Sequence, residues 1–356
     1  MQKEAICLKV PKNEGEKAIK TAHKLGLISK ELAVQRDNAH IYIPLIKSPS
    51  QDEVQILQKQ AESLEITTHT FPERKKHPKT LMEILEGKLP PHLLACVPRA
   101  MDIVGDIAII EIPPELEAYK KDVGNAILQV HKNLRTVLAK AGAIRGEYRT
   151  REYTLIAGEP KTETIHKEHG CLYHVNLAKA YFSPRLSHEH KRVASMVKEG
   201  ETIIDMFAGV GPFSIFIAKT HENVNVYAID INPDAIALLK KNIRLNRVEG
   251  KVHPIHGDAK QIVKQRLRGV ADRVIMNLPE KAIEFVGAAC EALKPEGGII
   301  HFYGFVTAEN PLEKLEHQFQ EEVEKSGRSV AKILFSRTVR ETAPYEWQTV
   351  LDAEVR

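Results

Sequence analysis

Residues Thr202–Lys219 read TIIDMFAGVGPFSIFIAK. An apolar run, Ile203-Ile204, ends at an acid, Asp205, and a small-residue turn follows, Phe207-Ala208-Gly209-Val210-Gly211. Pro212 then opens an apolar helix over residues 213–218. The order is strand, glycine loop, helix. Glycine permits φ > 0 and lets a ligand approach the backbone. Proline suits a first helical turn, where its missing N–H has no partner to lose. Open α/β sheets bind ligands at the carboxyl ends of their strands, so Asp205, Phe207, Gly209 and Gly211 are candidate ligand contacts. The spacing D-x-F-x-G-x-G departs from the G-x-G-x-x-G of dinucleotide sites. A carboxylate repels phosphate and attracts an ammonium group, so Asp205 argues for a ligand with a positively charged amino-acid end. A structural βα turn in another doubly wound domain is the plain alternative.

The next strands narrow the choice. Residues 225–229 end at Asp230, and Asn232-Pro233 reads as an N-cap followed by proline at the first helical position. An acid at the end of a second strand is placed to accept from both hydroxyls of a ribose. Residues 251–256 lead to Gly257-Asp258, where the acid can accept from an adenine amine, and residues 273–276 lead to Asn277-Leu278-Pro279. Four strand ends thus carry Asp, Asp, Asp and Asn-x-Pro. S-adenosylmethionine has the ammonium, ribose and adenine that such a row would hold. The layout resembles the class I, Rossmann-like methyltransferases.

The whole chain has 356 residues, 28% charged and 43% hydrophobic, a soluble globular profile with room for two or three domains. No apolar stretch is long enough to span a bilayer, and the charged start Met1-Gln2-Lys3-Glu4-Ala5 is no signal peptide. Four scattered cysteines without C-x-x-C spacing read as small buried hydrophobes in a reducing, cytoplasmic setting. A net charge of +4 is compatible with RNA binding without requiring it.

Taken in order, residues 1–72 read as a small α/β module. Its strands fall at Ala5–Val10, Ala33–Val34, Ile41–Leu45 and Ile66–Phe71, with helices capped by Asn13 and begun by Ser48-Pro49-Ser50. Residues 73–79 are basic and bracketed by prolines, a linker that also offers charge to a phosphate backbone. Residues 80–180 read as a middle α+β domain. It holds a hairpin at Gly105-Asp106, an amphipathic helix after Pro113-Pro114, a strand over 146–153, and a second hairpin at His169-Gly170. Residues 181–356 form the Rossmann-like domain, closed by an antiparallel hairpin over 330–354.

The motif after the fourth strand sorts targets. Asn277-Leu278-Pro279-Glu280 lacks the aromatic that amine-methylating enzymes carry there, and no cysteine lies near for carbon-5 cytosine chemistry. The chain resembles the archaeal tRNA (guanine-37-N1)-methyltransferases nearly end to end. The resemblance is carried by the amino-terminal module, Gly146–Glu152, Ile165-His166-Lys167-Glu168, Tyr181-Phe182-Ser183-Pro184-Arg185, the glycine loop, Ala228–Pro233, Met276-Asn277-Leu278-Pro279 and Ala343-Pro344. It implies a three-domain, S-adenosylmethionine-dependent enzyme acting on tRNA with guanosine at position 37. The first module would meet the outer corner of the tRNA and the others would hold the anticodon loop; a cytoplasmic monomer without a metal is expected.

The chemistry has its own demands. Guanine N1 carries a proton at neutral pH, and removing it develops charge toward O6, so a general base and a positive group are both needed. By resemblance Glu189 is the base and Arg149 steadies O6, a role suited to a permanently charged guanidinium. Asn277 would orient the guanine through its amide and Pro279 through its carbonyl. Tyr181, Phe207 and Ile231 would pack around the cofactor, with Arg185, Asp205, Gly209, Gly211, Asp230 and Asp258 completing its site. One departure stands out: many relatives have arginine where this chain has His190. Simpler roles are open for several residues. Arg149 could pair with Glu147 or Glu152, Glu189 could lie solvated in a polar turn, and Arg185 could be a surface salt-bridging arginine. His188, Glu189 and His190 with His166 and His169 match no standard zinc spacing. Wyosine-pathway chemistry, whether aminocarboxypropyl transfer or methylation of a tricyclic precursor, is the nearest rival, and a non-catalytic tRNA-binding protein the next.

Overall fold

The structure, a computed structural model, describes residues 2–61, 63–73, 80–142, 146, 148, 151–307, 310–343 and 346–356, the side chains of 340, 342 and 343 excepted. The expectations placed on linker residues 74–79, on Glu147 and Arg149, and on Pro344 lie outside the described residues. The chain divides into two units, Met1–Pro78 and Lys79–Arg356.

The first unit runs β1 (Gln2–Pro11), α1 (Gly15–Lys24), β2 (Gln35–Arg36), β3 (His40–Pro44), α2 (Gln51–Gln58) and β4 (Glu65–Pro72). Its antiparallel sheet has the order β2-β3-β1-β4. One face, with Leu8, Val10 and Ile43, packs on Ala18, Ala22 and Leu57 of the helices. Ser50 and Glu53 close a reciprocal capping box at the start of α2. The structure differs at α1, whose N-cap is Glu14 and not Asn13, with no capping side chain. Gly15 lies so close to Ile41 that a Cβ would come within 2.3 Å of its Cδ1. Packing sets this helix entry. The second strand also begins later than expected, at Gln35.

The second unit begins with α3 (Leu81–Leu85), α4 (Pro91–Leu94), β5 (Asp102–Val104), β6 (Ile107–Ile110), a 3-10 turn over Pro114–Tyr119, α5 (Lys120–Val130), β7 (Thr136–Lys140) and β8 (Tyr153–Gly158). These strands form a sheet in sequence order, with β6 and β7 parallel across α5. Of the strand expected over 146–153, residues 147, 149 and 150 lie outside the described residues; β8 begins at Tyr153, opposite Lys140, and just before it the Ala141 amide donates to the Glu152 carbonyl at 3.0 Å. The hairpin β9 (Glu163–Glu168) and β10 (Cys171–Asn176) turns at His169-Gly170, both at positive φ.

After a 3-10 turn at Pro184–Leu186 come α6 (Ser187–Met196), β11 (Thr202–Asp205), α7 (Pro212–Thr220), β12 (Asn225–Asp230), α8 (Pro233–Asn246), β13 (Val252–His256), α9 (Ala259–Ile262) and β14 (Arg273–Met276). Then follow α10 (Val286–Ala292), β15 (Gly298–Thr307), α11 (Pro311–Lys325), β16 (Val330–Ala343) and β17 (Glu346–Val355). The sheet order is β13-β12-β11-β14-β15-β17-β16. Its first five strands are parallel, and the last two form the expected antiparallel hairpin. Ile203, Ile204, Val274 and Ile275 are fully buried, as strands covered on both faces must be. Two buried asparagines on α8 dock the β9–β10 hairpin by pairing with its backbone. Asn242 bonds His174 and Asn246 bonds Leu172, each through both amide atoms. Val104, Ile107 and Leu138 share one core with Tyr173, Ile203 and Phe213. Strand order reverses at β11, between β12 and β14, which is where a doubly wound sheet opens a crevice.

Candidate active site

A cavity of about 350 Å³ opens at that reversal. Phe207 and Gly209 line it from the loop after β11, Asp230 and Ile231 from the end of β12, Asp258 from the end of β13 and Asn277 from the end of β14. Tyr181 joins from the segment before α6. Seven of the expected residues therefore surround one space. Gly146 and Tyr148 also line it, as do Lys260, Lys281 and Phe285. Phe285 stands edge-on to Phe207 at 4.9 Å, with the Lys260 ammonium 4.5 Å from its ring centre. Gly146 and Tyr148 belong to the Gly146–Glu152 segment noted in the sequence; Lys260, Lys281 and Phe285 were not singled out there, and Lys281, two residues past Pro279, was the most readable.

The carboxylates differ in employment. Asp230 accepts from the Gly209 amide at 2.7 Å and the Asn232 amide at 2.8 Å, so it shapes the loop while facing the cavity. Burial pushes its proton affinity up, against those two amides. Asn232 caps α8 as expected. Asp258 accepts from Gln261 N–H at 3.0 Å, capping α9. Asp205 is fully buried; Oδ2 accepts from Ser214 Oγ at 2.7 Å, and Oδ1 has no hydrogen-bond partner among the described residues. Burial pushes its carboxyl up to about 7, offset in part by the Ser214 hydroxyl and the Phe207 amide. Asp205 itself does not line the cavity, whereas the next two residues, Met206 and Phe207, do; a buried carboxylate oxygen without a partner is one that a ligand's ammonium group would satisfy. Gly211 does not line the cavity. Its φ of 91° starts α7, and a Cβ there would meet Leu239 at 2.3 Å, so its need for glycine is conformational and steric.

Glu189 sits elsewhere, in the first turn of α6, and is buried. The expectation of a solvated turn fails here. Its Oε2 accepts from Tyr303 Oη and Arg192 Nε, each at 2.9 Å, and Oε1 accepts from Arg337. Burial alone would raise its proton affinity, but Arg192, the Tyr303 hydroxyl and Arg337 hold the carboxyl below the usual range. Arg192 is in turn bound by Asp352, whose Oδ1 accepts from His301 Nδ1 at 2.6 Å. His301 Nε2 accepts from Arg273, which also binds Glu201. A chain of buried charges thus backs the glutamate. Strand β15 links this enclosure to the Asn-Leu-Pro motif: it carries Tyr303, and its Phe305 amide donates to the Pro279 carbonyl at 3.1 Å. That carbonyl keeps one lone pair for another donor. Arg192, Tyr303, Arg337 and Asp352 were not foreseen; only Arg192, three residues after Glu189 on one helix face, left a sequence signal.

Two arginine positions resolve differently. Arg185 pairs with Asp102 of β5 and lines, with Arg151 and Tyr153, a second cleft that shares Tyr181 with the main cavity. The salt-bridging role is the one the structure displays. His190, where relatives carry arginine, is buried with Nδ1 2.7 Å from Glu168 Oε1 and its ring edge-on to Phe213 at 4.6 Å, leaving it no reach to a phosphate. Among the described residues no group of three or more His, Cys, Asp or Glu is arranged to hold a metal ion, and no helix is long and apolar enough to cross a membrane.

A doubly wound sheet with acids at successive strand ends around a switch-point cavity defines a class I, Rossmann-like methyltransferase. Residues 164–331 match the TRM5/TYW2 methyltransferase domain, 81–162 the TYW2 N-terminal domain and 7–53 the tRNA methyltransferase 5 N-terminal domain. The chain belongs to the TRM5/TYW2 methyltransferase family. It is 41% identical to the tRNA (guanine(37)-N(1))-methyltransferase Trm5b of Pyrococcus abyssi, over 98% of this chain and 99% of that protein. The solved complex of aTrm5 and tRNALeu superposes with a TM-score of 0.76 at 33% identity, covering 99% of this chain and 100% of that one. A tRNA(Phe) (4-demethylwyosine(37)-C(7)) aminocarboxypropyltransferase of Pyrococcus horikoshii is 34% identical over 77% of this chain and 96% of its own length.

Proposed function

We propose that this protein transfers the methyl group of S-adenosylmethionine to N1 of guanosine 37 in tRNA. The observation that carries the reading is the pairing of a switch-point cavity rimmed by Asp230, Asp258 and Asn277 with a buried, ionised Glu189 tied to the Asn-Leu-Pro motif through β15. S-adenosylmethionine, when bound, supplies an electrophilic methyl group. In this reading the Asp205 carboxylate receives the ammonium end, Asp230 the ribose hydroxyls and Asp258 the adenine amine, while Tyr181, Phe207 and Ile231 exclude water. Asn277 and the free lone pair of the Pro279 carbonyl orient the guanine. Glu189 takes the N1 proton, and Arg149 neutralises charge growing on O6. Residues 1–72 and 80–180 would grip the tRNA around a cytoplasmic, monomeric enzyme; sedimentation of the purified protein tests the monomer.

The match of 81–162 to the TYW2 N-terminal domain favours a second reading, aminocarboxypropyl transfer to a wyosine precursor. Both use the same cofactor, so label position separates them. Unmodified tRNA with guanosine 37 is incubated with S-adenosylmethionine labelled in the methyl or in the carboxyl group, beside tRNA with adenosine 37 and tRNA bearing the wyosine precursor. Methyl label on the guanosine tRNA alone is the expected outcome. Carboxyl label in a tRNA bearing the wyosine precursor, without methyl transfer to guanosine, would move the protein to the second reading.

A further inference from the structure

The two guanidinium groups on Glu189 are held very differently. Arg192 is 12% exposed, bound by Asp352 and seated over the Phe335 ring at 4.5 Å. Arg337 is 38% exposed, bonds Oε1, and lies 3.3 Å from His188 Nδ1 and 5.8 Å from the centre of the same Phe335 ring. It extends from β16, the edge strand of the sheet, with register shifts on either side at Ile333/Phe335 and Thr338/Arg340. Its Nε is buried with no hydrogen-bond partner among the described residues. Glu189 itself is 1% exposed, so a purine can reach neither oxygen in this arrangement. Oε2 faces inward to Tyr303 and Arg192. Among the described residues, the exposed side chains against Oε1 are Arg337 and, at 3.9 Å, His188.

We propose that Arg337 is a movable cover on Glu189. It occludes the carboxylate in the free protein and leaves it when guanine enters, so that one displacement both opens Oε1 and strengthens the base by removing a positive charge. This rests on the reading of Glu189 as general base. The step balances as follows: the N1 proton passes to Oε1, the electron pair left on N1 forms the bond to the methyl carbon, and the carbon–sulfur pair departs with the thioether. Once displaced from Oε1, Arg337 touches no reacting atom; it is a positioning residue. The charged and titratable groups facing Glu189 are Arg192 and His188 on its own helix, Tyr303 on β15 and Arg337 on β16, with Asp352 of β17 and His301 behind Arg192.

The test compares pH profiles of the full-length enzyme on tRNA bearing guanosine 37. The acidic limb of kcat/KM reports the free enzyme and that of kcat the bound complex. In the parent the kcat limb is expected about one pH unit or more above the kcat/KM limb, since an adjacent cation depresses a carboxyl by that much. Arg337→Gln should raise the kcat/KM limb until the two coincide, and Arg337→Lys, which keeps a cation, should leave them apart; His188→Gln run alongside removes that imidazole's titration. Coincident limbs in the parent would overturn the proposal without any variant. So would an Arg337→Gln enzyme whose two limbs remain separated, or move up together. If Glu189→Gln instead retains the parental rate and acidic limb, the base assignment fails, whatever Arg337 does.

Discussion

The cofactor crevice and the Glu189 enclosure are built by opposite means. The crevice draws most of its residues from the carboxyl ends of successive strands, from Asp230 in the last position of β12 to Gly209 four residues past β11, so its parts are local even though the strands are not. It stays open, and carboxylates, the Asn277 amide and the ammonium groups of Lys260 and Lys281 line it. The enclosure gathers Glu189, Tyr303, Arg337 and, through Arg192, Asp352 from four elements, and it is shut. Every charge in it meets an opposite one. A binding site can be assembled from turn chemistry, whereas a carboxylate kept dry and ionised needs partners from across the domain.

Breaking the enclosure at its centre should have the largest effect. Glu189→Gln is expected to lower single-turnover methyl transfer by about 10²–10⁴-fold, the usual worth of a general base. Its affinity for tRNA, measured by filter binding, should be nearly parental; an unchanged rate would remove Glu189 as the base. Asp352→Asn strips Arg192 of a buried partner and should cost about 3 kcal/mol in denaturant unfolding. A loss under about 0.5 kcal/mol, the scale of ordinary surface changes, would show that the charge chain does not hold the enclosure together. In the crevice, Asp230→Asn should weaken S-adenosylmethionine binding about tenfold or more in calorimetry, the scale of a charged hydrogen bond. Parental affinity would detach that acid from the ribose.

Asp205 sharpens the comparison through pH. Its carboxyl titrates at about 7 in the fold, against 3.8 for an ordinary aspartate. The protonated form is thus favoured by folding. The stability this group contributes is fully present below the ordinary value and is lost as pH rises through about 7. Without cofactor, Asp205→Asn should therefore be more stable than the parent at pH 8 by about 1–3 kcal/mol, with the gap closing toward pH 4. The same variant should bind S-adenosylmethionine more weakly. A variant less stable at pH 8 would mean that Asp205 is satisfied within the fold. The smallest effect expected is that of removing residues 1–78 on cofactor affinity, which should stay within about twofold while tRNA binding falls, because the crevice lies wholly in the second unit.

Much of this contrast was legible beforehand, and for a physical reason. Strand–turn–helix junctions announce themselves through glycine, proline and capping residues, so Asp230, Asn232, Asp258 and Asn277 stand at the strand ends where they were read. Fold class followed from the same junctions. What failed was where packing overrode local signals. Asn13 yields to Gly15 against Ile41 at the entry to α1, and Arg185 pairs with Asp102, the alternative that its sequence left open. Glu189 was found by resemblance, but its burial was not, because Tyr303 and Arg337 arrive 114 and 148 residues later along the chain. No window of sequence contains that information.

Those separations carry a consequence for how the molecule is made. Strand β17 lies inside the sheet, between β15 and β16, and brings the aspartate that Arg192 meets 160 residues downstream. At roughly 5–20 residues per second, a ribosome delivers Arg192 about ten to thirty seconds before Asp352. By the second half of that interval the crevice has its own strands, β11 to β14, in hand, while the buried arginine and glutamate still lack a housing. The nascent protein should therefore acquire the ability to hold a nucleoside before it acquires the ability to modify one.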